Sequence, residues 1–120
     1  PTILEMLGLQ FDRKEIDGKS FTRLVKGKKM DRGPIYWHFP HYRHSPGPYS
    51  IIRSGNWKLI KWYEGGFELY NLKSDLSEKN DLAASMASKV KELNRQLTSE
   101  LSRIGAKIPK PNPNYVRKSK

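Results

Sequence analysis

Four runs decide the architecture of this 120-residue chain: Ile35-Tyr-Trp-His-Phe-Pro40, Tyr49-Ser-Ile-Ile-Arg53, Trp57-Lys-Leu-Ile-Lys-Trp-Tyr63 and Phe67-Glu-Leu-Tyr-Asn-Leu72. Each is short, rich in aromatic and β-branched residues, and bounded by Gly, Pro, Asn or Ser, the pattern of antiparallel strands joined by tight connections. The joints are polar: His41-Tyr-Arg-His-Ser-Pro-Gly-Pro48, Ser54-Gly-Asn56 and Glu64-Gly-Gly66. A four-stranded meander over 35–72 is expected. Within Trp57–Tyr63 alternation places Trp57 and Leu59 on one face, and Lys58, Ile60 and Trp62 on the other, so both faces carry apolar groups. One face should pack on a helix of this chain. The other keeps Trp37, Trp62 and Tyr63, enough aromatic surface to require cover from outside these residues.

The covering helix follows a polar turn region, Ser74-Asp-Leu-Ser-Glu-Lys-Asn80. Leu82, Met86, Val90, Leu93, Leu97, Leu101 and Ile104 recur at steps of 4, 4, 3, 4, 4 and 3. That spacing draws one apolar stripe along a helix over 82–104, about six turns long. Lys89, Lys91, Glu92, Arg95, Glu100 and Arg103 occupy its other faces, and Gly105 is placed to end it. A stripe of this kind also suits a coiled-coil partner, but an apolar sheet face lies adjacent in sequence, and packing on it is the reading adopted.

Before the sheet, Pro1-Thr-Ile-Leu-Glu-Met-Leu-Gly8 reads as a short amphipathic helix with Pro at its start and Gly at its end. Phe21-Thr-Arg-Leu-Val-Lys-Gly27 reads as a second, with Phe21, Leu24 and Val25 on one side. After the long helix, Ile108-Pro-Lys-Pro-Asn-Pro-Asn-Tyr115 excludes helix and inner strand, because its prolines remove donors and fix φ. The expected organisation is a connecting segment over 1–33, a sheet-and-helix unit over 34–105, and an extended basic tail over 106–120.

Composition bounds what such a chain does. An apolar fraction of 36%, with nine glycines and eight prolines, predicts a modest core with extended ends. The absence of cysteine excludes disulfides and thiolate metal sites. No apolar run reaches bilayer-spanning length, and the opening residues form neither a signal nor a transit pattern. The chain does not begin with Met and reads as cut from something longer. A net charge of +11 favours polyanionic partners. The plainer reading is solvated decoration, since Lys26, Lys28, Lys29, Arg32, Lys107, Lys110, Arg117, Lys118 and Lys120 all fall in loops or tails.

Chemically versatile groups gather at one place, His38, His41, Tyr42, Arg43 and His44, which holds every histidine of the chain. No carboxylate or thiolate completes a metal-ligand spacing, and no metal ligand is assigned. No Ser/His/Asp arrangement or carboxylate pair is present, so no catalytic residue is assigned either. The cluster suits a loop presenting cationic and hydrogen-bonding groups to an anion, with Arg43 capable of a bidentate contact to sulfate, phosphate or carboxylate. His38, His41, Tyr42 and Arg43 are the candidate binding residues, with His44 and Arg53 weaker. Aromatics interleaved with basic residues superficially fit nucleic-acid stacking, but no nucleic-acid-binding motif is present.

Taken in order, the pieces resemble the C-terminal subdomain of the sulfatase family, close to arylsulfatase A-like enzymes. The segments that carry the resemblance are Pro1–Leu9, Asp17-Gly-Lys-Ser-Phe21 with Leu24-Val-Lys-Gly27, Tyr36-Trp-His-Phe-Pro-His-Tyr42, Ile52-Arg-Ser-Gly-Asn-Trp-Lys-Leu-Ile60, Glu68-Leu-Tyr-Asn-Leu72, Asp75–Ala83 and Pro111-Asn-Pro-Asn-Tyr115. Asn56 departs from the family, where Asp often fills that turn. The resemblance implies an α+β fold, a small four-stranded antiparallel sheet packed against one long C-terminal helix and docked on a larger α/β domain of alkaline-phosphatase type. It implies sulfate-ester hydrolysis by a parent enzyme, with a formylglycine and a calcium ion held by residues outside this chain, and a secreted or periplasmic location. The implied partners are the N-terminal catalytic domain and a sulfated ester such as a sulfated glycan, with neither nucleic acid nor a membrane span. The chain alone is then expected to be inactive. The competing reading is a non-enzymatic basic module that binds sulfated glycan or nucleic acid.

Overall fold

The computed structural model describes residues 1–12, 14, 16–42, 47–110 and 113. The chain divides into two compact units, Pro1–Gly33 and Pro34–Lys120.

In the second unit, β1 (Ile35–Phe39), β2 (Tyr49–Ser54), β3 (Trp57–Trp62) and β4 (Gly66–Asn71) form one antiparallel sheet in the order β1-β2-β3-β4, the expected meander. The β2–β3 hairpin turns on Gly55 and Asn56. Ser54 pairs with Trp57, and Gly55 takes a positive φ of 58°, as a tight two-residue turn matched to strand twist requires. Register sets the faces. Ile52, Leu59 and Leu69 lie side by side across β2, β3 and β4, and all three are fully buried.

They are covered by α3 (Ala87–Arg103), whose Leu93, Leu97 and Leu101 complete the core. The leucines at i, i+4 and i+8 fall on one face of a 3.6-residue period, and each buried side chain contributes roughly 1.5–3 kcal/mol. Lys89–Glu92 and Arg103–Glu100 ion pairs line the solvent side at helical spacing. The helix stops where Gly105 adopts φ 63° and the Ala106 N–H turns back to the Leu101 carbonyl at 2.9 Å. This is the left-handed closure that Gly permits at no steric cost.

The helix starts five residues later than the apolar stripe. Leu82 is tied to the outer edge of β4 instead: its N–H donates to the Leu69 carbonyl at 2.8 Å, and the Asp81 carboxylate accepts the Leu69 N–H at 2.9 Å. Leu82 and Met86 pack on the core from this bridging turn. The helical period therefore continues through residues that cap a sheet edge. A second difference concerns Tyr63. It turns to the helix face, where its hydroxyl lies 2.8 Å from Ser50 Oγ, and leaves the open face to Trp37, which is exposed, and the half-buried Trp62.

In the first unit, α1 (Thr2–Met6) and α2 (Thr22–Val25) both end at a positive-φ glycine, Gly8 and Gly27. The Thr22 hydroxyl donates to Glu5 at 2.6 Å, and the Phe21 N–H donates to Thr2 Oγ1 at 3.2 Å. Among the described residues of this unit the buried ones are Thr2 and Thr22, while Phe21, Leu24 and Val25 are exposed.

Candidate functional site

The histidine-bearing loop leaves the end of β1 and returns through Gly47 and Pro48, which is fully buried. Arg43 and His44 lie outside the described residues. The other candidates are separated by strand alternation. His38 pairs in register with Ser50 and shares the helix face with Ile52 and Leu59.

Both ring nitrogens of His38 are engaged: Nδ1 lies 2.7 Å from Ser50 Oγ and Nε2 lies 3.0 Å from the Lys107 carbonyl oxygen. A carbonyl only accepts, so Nε2 carries a hydrogen. In the neutral ring Nδ1 then accepts from Ser50, whose oxygen also meets the Tyr63 hydroxyl. A Ser–His pair at this distance has the reach of an activated nucleophile, but Ser50 is fully buried and a carbonyl stands where an orienting carboxylate would. The network joins sheet to tail; His38 holds structure together here, and its nitrogens are not offered to solvent.

His41 is exposed and sits edge-on to Phe39, with ring centroids 5.2 Å apart. Phe39 stacks on Tyr49 at 5.5 Å, and Tyr49 meets Trp62 at 5.1 Å, so an aromatic ladder across β1, β2 and β3 supports the imidazole. The indole Nε1 of Trp62 is enclosed and finds no hydrogen-bond partner. Tyr42 is 46% exposed; its hydroxyl lies on the Glu64 carboxylate and 3.1 Å from the Lys110 carbonyl oxygen. Arg53 is exposed and forms none of the ion pairs found among the described residues.

Of the described loop candidates, His41 and Tyr42 are thus left at the surface, and Tyr42 rests on Glu64 and on the Lys110 carbonyl. Sequence reasoning treated Glu64 as part of a plain turn and Lys107 and Lys110 as tail charge. Their contacts to Tyr42 and His38 span 22 to 69 residues, and no local pattern signals them. Among the described residues no group of three or more His, Cys, Asp or Glu side chains could hold a metal ion. No described helix is long and apolar enough to cross a membrane. A cleft of about 750 Å³ in the first unit is lined by Glu5, Asp17, Lys19, Arg23 and Asp31 among others, and includes none of the histidines.

Residues 1–107 match the family described as N-sulphoglucosamine sulphohydrolase, C-terminal, and the chain belongs to that family. A curated relative, a sulfatase of Formosa agariphila, is 29% identical over 153 aligned positions, which take in 98% of this chain and 26% of the relative. Of solved structures, a 2-O glycosaminoglycan sulfatase superposes with a TM-score of 0.74 at 21% identity, over 98% of this chain and 28% of its own. A protein solved with its substrate D-glucosamine-2-N,6-O-disulfate superposes with a TM-score of 0.69 at 27% identity, over 91% and 24%. The chain thus spans about a quarter of the length of these relatives, and in the two solved structures the same fold is part of a longer chain.

Proposed function

We propose that this chain is the C-terminal subdomain of a sulfatase that hydrolyses sulfate esters of sulfated glycans. The observation that carries the reading is the family match over residues 1–107. Two of the relatives named above are sulfatases, and a third protein was solved with a sulfated sugar as its substrate. In this reading the chain completes the fold of the parent enzyme and lends its rim, His41, Tyr42 and Arg43, to the part of the substrate beyond the reacting sulfate. His38 serves that rim from behind, by holding the segment against which Tyr42 rests.

The family's calcium and formylglycine belong to the remainder of the parent. The resemblance puts the formylglycine, made from Cys or Ser, and the calcium ligands outside these 120 residues, so no catalytic step is assigned to this chain and it is expected to be inert alone. A neutral or cationic imidazole and a phenol are binding groups for sulfate and hydroxyl oxygens, each worth roughly 1–2 kcal/mol when desolvated.

The test is made in the parent enzyme, with inorganic sulfate release from D-glucosamine-2-N,6-O-disulfate and from a heparin tetrasaccharide as the readout. His41→Ala with Tyr42→Ala is expected to lower kcat/KM about tenfold or more, the kinetic equivalent of one to two such contacts. Unchanged kcat/KM would overturn the rim role. A parent that releases no sulfate and instead binds heparin or single-stranded DNA tightly at physiological salt would replace the enzyme reading with a basic binding module.

A further inference from the structure

The segment after α3 is fixed at two points three residues apart. The Lys107 carbonyl accepts from His38, and the Lys110 carbonyl lies 3.1 Å from the Tyr42 hydroxyl. Between them Ile108 is exposed and Pro109 half-buried. Pro109 holds its own φ near −65° and withdraws a donor, so the strap has little freedom to leave this path. Carbonyls that face the same wall at i and i+3 follow the three-residue period of an extended proline-type helix. Side chains in such a segment repeat at the same interval, so those of Lys107 and Lys110 recur on a common side, at most roughly 10 Å apart at their Cα atoms.

Both lysines are exposed, and neither takes part in the ion pairs found among the described residues. The Glu64 carboxylate, on the same Tyr42 hydroxyl as the Lys110 carbonyl, lies beside the strap. Two ammonium groups are thus carried on an anchored backbone beside the Tyr42 ring, the neighbour in sequence of the exposed His41. The strap is held by the part-buried His38–Ser50–Tyr63 network at one end and by Tyr42 at the other, which sets it apart from a freely solvated tail. Lysine, a compact point charge on a flexible stem, suits sulfate or carboxylate groups whose positions vary along a polymer, where the planar fork of Arg suits one fixed geometry.

Resting on the sulfatase reading above, we infer that strap 106–110 is a second wall of the rim, on which Lys107 and Lys110 hold anionic groups of a sulfated saccharide outside the unit that is hydrolysed. The strap thereby sets a preference for chains over single sugars. His38 is a positioning residue for it and touches no substrate.

The test compares wild-type parent enzyme with the double variant Lys107→Glu, Lys110→Glu, on D-glucosamine-2-N,6-O-disulfate and on a heparin tetrasaccharide. The KM for the tetrasaccharide is expected to rise about tenfold, as reversal of two rim charges implies, and by clearly more than the KM for the single sugar. The wild-type preference for the tetrasaccharide should weaken as salt is raised. His38→Gln should reproduce part of the same KM ratio and add little to the double variant, since both act through one strap. The charge reversals lie at the surface, so a folding defect in His38→Gln leaves the main comparison standing.

An active parent whose double variant keeps the tetrasaccharide KM within twofold overturns this inference and leaves the sulfatase reading in place. An equal loss of affinity for single-stranded DNA of similar charge overturns the saccharide assignment. A parent that releases no sulfate from either sugar fails the reading itself, and the strap inference with it.

Discussion

Among the described residues, 1–33 bury threonines, whereas 34–110 bury mainly leucine and isoleucine. In the first, Thr2 and Thr22 are covered and joined to Phe21 and Glu5 by hydrogen bonds, while Ile3 is 72%, Leu7 67% and Val25 64% exposed. In the second, Ile52, Leu59, Leu69 and Leu97 are each 0% exposed. An apolar row left in water gains nothing from folding, whereas the sheet-and-helix unit removes its apolar row from solvent with its own residues. The second unit therefore carries its own core. The helices of the first are held locally by threonines and glycine caps, and their apolar sides await cover. Under the proposal above, that cover is the catalytic domain of the parent enzyme.

The comparison is sharpened most by truncating one apolar residue in each region of the 120-residue chain. Leu97→Ala should destabilise it by about 3 kcal/mol in chemical denaturation, through lost transfer energy and an incompletely collapsed cavity. The same truncation at Ile3 should change stability by less than about 0.5 kcal/mol, as exposed sites do. Comparable losses at both would break the contrast.

A smaller effect comes from the open face of the sheet. Burial, together with the hydrogen bond its hydroxyl donates to Glu68 at 2.9 Å, raises the pKa of Tyr70 well above the usual phenol range. A raised folded-state pKa leaves stability intact below about pH 10, where free tyrosine ionises, and removes it as pH climbs from there toward the folded value. Tyr70→Phe should therefore flatten the alkaline decline seen in thermal unfolding above pH 10. An unaltered decline would show that this face is already open to water at Tyr70.

The strand runs, their pairing order and the leucine stripe were legible because each depends on neighbours two to four residues away. Leu82 misled by the same logic, since helical spacing says nothing of a backbone donor committed to β4. The loop at 41–48 stood out by composition, yet the division of labour within it did not. His38 and His41 look alike in sequence, and alternation across β1 sends one to Ser50 and Lys107 and leaves the other on Phe39. The exposure of Phe21, Leu24 and Val25 was equally hidden: an apolar side read from spacing does not say who covers it.

Hydrogen exchange on the 120-residue chain alone and within its parent enzyme tests the contrast most directly. Amides of β2, β3 and α3 should be protected in both states, while those of α1 and α2 should exchange almost freely in the isolated chain and become protected in the parent. Equal, strong protection of Thr2–Met6 and Thr22–Val25 in the isolated chain would contradict it, and with it the claim that these helices complete their packing only against the rest of a sulfatase.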